Sequence, residues 1–131
     1  MWLLLVNSEW AQYLHTMNTI YLLPSCQTCQ RVLKTVEQVG EWTVRDIKSE
    51  PLTEAEVDAM AASVNSYEEI FSRRAILYRQ RDLKNQTLTE EDYKALILEH
   101  YTFLKRPVMQ VGDTYFAGSA KKNVEAAVRA V

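Results

Sequence analysis

The sequence has few of the residues that build metal sites or membrane spans. Two cysteines, Cys26 and Cys29, are the only ones in 131 residues, whereas a structural zinc site usually needs four ligands. The two histidines, His15 and His100, have no ligand spacing between them, so we expect no metal site. No apolar run is long enough to cross a bilayer, which takes about 20 residues. A net charge of -2 argues against a nucleic-acid-binding surface over the whole protein, although it leaves room for a local basic patch.

Length and composition predict one compact domain, with 47% hydrophobic residues to form its core. The domain is expected over residues 17–131, beginning at a second methionine, Met17. Residues 1–16 are an N-terminal extension of uncertain role: an added strand or helix on the core, or an upstream start that the fold does not need. Their apolar beginning lacks a basic n-region and a cleavage site, so it is a poor secretory signal. A cytoplasmic location is therefore expected.

The chemistry of the chain centres on Cys26 and Cys29, a C-x-x-C pair placed where an apolar strand meets a helix. A thiol in the first helical turn faces unpaired N–H groups and the positive end of the helix dipole, which favour the thiolate. The second thiol, one turn later, can attack a mixed disulfide formed at the first. The alternative is a pair of buried structural cysteines. In this context we favour redox chemistry, with Cys26 as nucleophile and Cys29 as resolving thiol.

Hydrophobic periodicity predicts an α/β fold of the thioredoxin type, a four-stranded mixed sheet flanked by helices. Its order is β-α-β, a helical insertion, then β-β-α, and Gly112-Asp113 marks the hairpin between the last two strands. Capping-box patterns, Thr53 with Glu56 and Thr89 with Asp92, predict two helix starts. The predicted elements are strands over 19–23, 42–47, 108–111 and 114–117, and helices over 28–39, 53–64, 66–77, from 89 and from 119.

Pro107 and the arginines complete the predicted site. Pro107 opens the third strand, and a cis peptide bond is favoured there over the commoner trans form because of the C-x-x-C pair. Arg106 would then lie beside Cys26 and lower the pKa of that thiol. Its guanidinium could also donate two parallel hydrogen bonds to an oxyanion or carboxylate. Four further arginines read mainly as a solvated face, with one expected to point inward: Arg73, Arg74, Arg79 and Arg81.

Taken together, Leu23 to Cys29, Arg74 after Phe71-Ser72, and Arg106-Pro107 resemble the ArsC/Spx family of arsenate-reductase-related proteins with a thioredoxin-like fold. The resemblance covers residues 17–131. It implies a nucleophilic Cys26 in an anion-binding loop that includes Ser25, with Arg74, Arg106 and Pro107 beside it. It also implies glutathione, glutaredoxin or thioredoxin as reducing partners, and no bound cofactor.

Two features set the chain apart from single-cysteine arsenate reductases of that family. Cys29 is an additional cysteine, and residues 116–119, where a third arginine would fall, read Phe-Ala-Gly-Ser. Both resemble the Spx-type members, whose C-x-x-C is a redox switch and which bind the RNA polymerase alpha subunit. Two functions follow: a thiol-disulfide oxidoreductase with weak or no arsenate reduction, and a redox-sensing regulator acting through RNA polymerase without direct nucleic-acid contact.

Overall fold

The structure, a computed structural model, describes residues 17–131. The described strands and helices follow one another as β1 (Asn18–Leu22), α1 (Gln27–Val36), β2 (Thr43–Asp46), α2 (Glu54–Val64), α3 (Ile76–Gln80), α4 (Glu90–Glu99), β3 (Val108–Val111), β4 (Thr114–Ala117) and α5 (Lys121–Ala130). Single 3-10 turns occur at Glu37–Val39, Glu68–Ile70, Leu83–Asn85 and Tyr101–Phe103. The extension predicted over residues 1–16 lies outside the described part of the chain.

The four strands form one mixed sheet in the order β2-β1-β3-β4. β1 pairs parallel with β2, and the remaining pairs, β1 with β3 and β3 with β4, are antiparallel. This arrangement confirms the predicted four-stranded mixed sheet flanked by helices. It also confirms the hairpin, in which Gly112 adopts a φ of 60° that favours glycine.

Two hydrophobic clusters enclose the sheet, because alternate residues of each strand point to opposite faces. Ile20, Leu22 and Met109 pack on one face with α1 and α5. Tyr21 and Val108 pack on the other face with the helical segment between β2 and β3. The thiol-bearing helix therefore has its own core, separate from the larger aromatic core behind the sheet.

Both predicted capping boxes are present. The Thr53 hydroxyl accepts the Glu56 N–H at 3.2 Å while Glu56 accepts the Thr53 N–H at 2.9 Å. Thr89 and Asp92 form the same reciprocal pair at the start of α4. These helix starts are local in origin, which explains why sequence alone predicted them.

The prediction of one helix over 66–77 is wrong. Phe71 is extended and bridges Leu104, and the Ser72 N–H donates to the Phe103 carbonyl at 2.7 Å. The physical reason is tertiary, since burying Phe71 against the 101–104 turn outweighs the local helical pattern. The helix resumes only at Ile76.

Two further helix predictions need correction. The first helix was predicted to reach residue 39, but the backbone tightens to a 3-10 turn after Val36, and Val39 is 42% exposed. The last helix begins at Lys121 rather than at Ser119, and its cap residue, Ala120, makes no side-chain hydrogen bond.

Candidate functional site

One edge of the sheet, formed by strand ends, brings together Cys26, Arg106 and Pro107. The parallel strands β1 and β2 both end there, so the loop from Leu23 to Cys26 leaves from this edge. Because β3 is antiparallel to β1, it starts at the same edge, with Val108 opposite Tyr21. Pro107 therefore comes to the edge where Cys26 opens α1. The β4 end, Ala117, pairs with Val108 and brings Gly118 there as well.

Cys26 caps the first helix of the domain with its own sulfur. It lies just before α1 in an extended conformation, and its Sγ accepts the Cys29 N–H at 3.4 Å. Its own N–H donates to the Leu23 carbonyl at 3.0 Å, which ties the loop to the end of β1. The Cys26 side chain is half-buried, so its sulfur combines a fixed position with access from outside.

The surroundings of Cys26 favour its thiolate. Partial burial opposes ionisation, but hydrogen bonds from the Cys29 and Thr28 N–H groups and from the Cys29 side chain favour the charged sulfur. The positive charge of Arg106 acts in the same direction. Together these groups hold the pKa of Cys26 below the ordinary cysteine value.

Cys29 has the opposite character. Its side chain is 0% exposed and packs in the core formed with α1 and α5. Burial, reinforced by its hydrogen bond to Cys26 and by the negative charge that Cys26 carries as a thiolate, raises the pKa of Cys29 to about 11. Both thiols are free in this structure. The pair thus consists of one accessible, acidic thiol and one buried thiol that holds its proton.

Arg106 and Pro107 directly precede β3. The Arg106-Pro107 peptide bond is cis, as expected, and Pro107 is buried. Arg106 is half-buried, and its charge favours the thiolate form of both cysteines. Arg106 is therefore close enough for its charge to act on both thiols.

The structure does not bring Arg74 to the thiols by any hydrogen bond or ion pair within residues 17–131. Arg74 is exposed and lines a separate depression with Tyr78, Arg79 and Lys84. Ser25 is also exposed, immediately before Cys26. The roles predicted for Arg74 and Ser25 in anion binding stay predictions.

Of the other three arginines, two have partners. Arg73 contacts Glu68 at 2.8 Å and lies over the Tyr93 ring, and Arg81 contacts Glu99 at 2.6 Å and lies over the Phe103 ring. Arg79 is exposed.

Two positioning contacts were missed at the sequence level. The Gln30 side-chain amide donates to the Pro24 carbonyl at 3.0 Å, joining the first turn of α1 to the loop before it. The Asn123 amide donates to the Gly118 carbonyl at 2.7 Å, and the Gly118 N–H donates to the Pro107 carbonyl at 2.9 Å. Both side chains bond backbone carbonyls five or six residues earlier in the chain, Pro24 and Gly118. Neither contact has a sequence signal, because a backbone carbonyl is present at every residue.

Similarity to known proteins identifies the family of this chain. Residues 21–127 match the model of the ArsC family. The chain belongs to the ArsC family. The ArsC-family chain is 28% identical over 95 residues to the global transcriptional regulator Spx 1 of Bacillus cereus, covering 71% of this chain and 72% of that protein. It is 30% identical over 95 residues to the global transcriptional regulator Spx of Enterococcus faecalis, with the same two coverages, 71% and 72%.

Solved structures of related proteins have the same fold. An ArsC family related protein from Bacteroides fragilis matches with a TM-score of 0.75 at 25% identity, covering 86% of this ArsC-family chain and 98% of that one. An arsenate reductase from Vibrio cholerae matches with a TM-score of 0.74 at 16% identity, covering 88% and 98%. At that identity the second likeness concerns the fold alone.

No helix in the described range 17–131 is long and apolar enough to span a membrane. Within the same range, no group of three His, Cys, Asp or Glu residues is placed to hold a metal ion.

Proposed function

We propose that this protein is a thiol-disulfide oxidoreductase in which Cys26 is the nucleophile and Cys29 the resolving thiol. The observation that carries the proposal is the difference in burial and pKa between the two thiols, which lie one helical turn apart. Cys26 is half-buried with its pKa lowered, whereas Cys29 is buried with its pKa raised. A nucleophile must be ionised and reachable, while a resolving thiol needs to be near it and shielded from outside disulfides.

The proposed reaction is a pair of thiol-disulfide exchanges. The Cys26 thiolate attacks one sulfur of a substrate disulfide, forming a mixed disulfide and releasing the other substrate sulfur as a thiolate. Cys29 then loses its proton and attacks the Cys26 sulfur, which closes a Cys26–Cys29 disulfide and releases the second substrate thiolate. The substrate gains two electrons and the protein loses two. A dithiol or two monothiols, supplied by thioredoxin, glutaredoxin or glutathione, return the protein to its reduced form.

Ser25, Arg74, Arg106 and Pro107 are proposed as substrate or anion contacts beside Cys26. The support is strongest for Arg106, whose charge already acts on both sulfurs. Arsenate reduction is expected to be poor, because Gly118 and its neighbours supply no third arginine. Disulfides, which need no multiply charged oxyanion site, are the better substrates.

A redox-sensing regulator is the second candidate, favoured by the similarity to proteins named as transcriptional regulators. In that case the same two thiols would switch once, and the reduced and oxidised forms would differ in affinity for a partner such as the RNA polymerase alpha subunit. A cytoplasmic location suits both candidates, since thiols stay reduced there, and it remains a prediction.

The test of the thiol roles is iodoacetamide labelling against pH, with mass spectrometry of each cysteine. Cys26 should react first near neutral pH, because the reagent consumes the thiolate and the pKa of Cys26 is the lower one. Equal or reversed labelling would overturn the assignment.

A coupled NADPH assay then separates the two candidates. It uses glutathione, glutaredoxin or thioredoxin as reductant, with a model disulfide and arsenate as alternative substrates. Sustained turnover of the disulfide supports the enzyme, whereas a single stoichiometric oxidation without turnover supports the regulator.

A further inference from the structure

The outer face of α1 carries two positive charges, Arg31 and Lys34, that have no acidic partner among the described residues. Neither Arg31 nor Lys34 forms an ion pair with any residue in the described range 17–131. Elsewhere four cations contact a carboxylate at 2.6 to 2.8 Å, namely Arg45, Arg73, Arg81 and Lys94, and Lys121 on α5 lies 4.0 Å from Glu125. The cations nearest to the reactive loop along α1 are therefore available to an external anion.

These cations line a shallow groove that leads to the nucleophile. One open depression runs from Ser25 along α1 past Gln27 and Arg31 to Lys34. A second one shares Arg31 with the first and continues between α1 and α5, where Ser119 and Lys121 form its other wall. Ser25 directly precedes Cys26. We call this surface, formed by Ser25, Gln27, Arg31, Lys34, Ser119 and Lys121, the basic groove.

Across the whole domain, too, positive charge is concentrated in the part of the chain that carries the thiols. Residues 17–42 and 100–131, which include both thiols and both walls of the groove, contain seven lysines and arginines against four acidic residues. Residues 43–99 contain eight against twelve. The thiol-bearing part is thus positive although the protein as a whole is negative. Such a field attracts and orients an anionic partner.

The dimensions of the groove suit an extended peptide. An α-helix rises about 1.5 Å per residue, so Arg31 lies about 8 Å and Lys34 about 12 Å along the axis from Cys26. An extended chain advances about 3.3 Å per residue. A peptide joined to Cys26 through its own cysteine would therefore place side chains two to four positions away beside Arg31 and Lys34.

We propose that the basic groove binds an acidic, extended segment of the disulfide substrate, with Asp or Glu two to four residues from the cysteine that Cys26 attacks. This inference rests on the proposed oxidoreductase function and adds to it a substrate class. The charges select the substrate, while the thiols carry out the exchange.

The experiment compares two synthetic peptide disulfides, each a symmetric dimer of a peptide with one cysteine. One has Glu at the third and fourth positions after the cysteine and the other has Gln there. The rate of oxidation of the reduced protein is followed by acid quenching and mass spectrometry. The Glu peptide should react about two to five fold faster for each charge pair, and added salt should shrink this preference.

The variants locate the effect. The double variant Arg31→Gln/Lys34→Gln should lose most of the preference for the Glu peptide. Lys122→Gln removes a charge from α5 without touching the groove lining, and it should keep the preference. Iodoacetamide, which is uncharged, should react with Cys26 equally fast in the double variant and in the unmodified protein.

Each remaining outcome has a defined meaning. If neither peptide oxidises the protein, the proposed oxidoreductase function fails. If both peptides react at the same rate, that function stands and the groove assignment is overturned. A loss of preference in Lys122→Gln equal to that in the double variant would also overturn it, because diffuse charge would then explain the effect. So would a parallel drop in iodoacetamide reactivity, which would locate the change at the thiol.

Discussion

The segment 43–99 differs from the thiol edge, the edge of the sheet where Cys26, Arg106 and Pro107 meet, in how its charges are paired. In the mainly helical segment 43–99, which also contains β2, half of the cations are paired, as in the Arg45–Glu56 contact at 2.7 Å, and Phe71 packs closely against other rings. At the thiol edge, Arg106 faces ionisable sulfurs, and the cations Arg31 and Lys34 have no acidic partner within residues 17–131. The helical segment therefore stabilises the fold, whereas the thiol edge keeps its charge available for chemistry. Substitutions on each side should separate these two contributions.

The largest expected effect is on the chemistry at Cys26. Cys26→Ser should abolish disulfide reduction, a loss of at least about a thousandfold, because serine is not ionised at neutral pH. Cys29→Ser should still attack a disulfide but should stop as a mixed disulfide or, with peroxide, as a sulfenic acid at Cys26. Intact-mass measurement after oxidation distinguishes the two variants. A Cys29→Ser protein that turns over normally would remove the resolving role.

The next effect belongs to the aromatic core. Phe71 is 0% exposed and packs against Phe103, Tyr93 and Tyr78, with ring centroids 5.5, 4.8 and 6.0 Å away. Phe71→Ala should lower the free energy of unfolding by about 3–5 kcal/mol, as measured by urea denaturation. Phe71→Leu should cost less and leave a folded protein in which the pKa of Cys26 is unchanged. A shifted thiol pKa in that variant would contradict the separation of the two sides.

Arg106→Ala tests the thiol edge without touching the core. Removing the guanidinium should raise the pKa of Cys26, so the thiolate fraction and the labelling rate at neutral pH should fall. The influence of Arg106 is that of its charge, without a direct hydrogen bond among the described residues, so the labelling rate should fall by about tenfold or less. The check is the pH profile of iodoacetamide labelling.

Arg79→Ala serves as the matched control for Arg106→Ala, because Arg79 is exposed and lies in the helical segment. It should leave the profile in place. An Arg106→Ala profile that overlays the unmodified one would remove Arg106 from the site.

The smallest expected effect concerns a helix cap. Thr89→Ala removes the hydroxyl that accepts the Asp92 N–H at 3.2 Å and should cost about 1 kcal/mol of stability. Thr89→Ser keeps the hydroxyl and should cost much less. Thermal unfolding of the two variants measures the difference, and neither should alter thiol labelling. Equal destabilisation by both would mean that the cap contributes little.

Features set by neighbouring residues were predictable, and features set by distant contacts were not. Partners within three residues form the helix caps at Thr53 and Thr89 and the turn at Gly112. The sequence pattern therefore predicts all three features. Phe71 reads as part of a helix until its contact with Leu104 is known. The Tyr115 N–H donates to the Ser63 hydroxyl at 2.9 Å, and these two residues, 52 positions apart, meet only in the folded domain.

The sequence by itself determined the C-x-x-C pair, its place before a helix, the strand order along the chain and the proline that opens β3. Only the tertiary structure decided that Cys29 is buried and holds its proton. Cys26 lies at the helix start within reach of the Arg106 charge, whereas Cys29 turns into the core between α1 and α5. The reason is that a pKa depends on burial and on charges in space. The burial of Cys29 comes from the packing of α1 and α5 on the sheet, which the order of residues does not reveal.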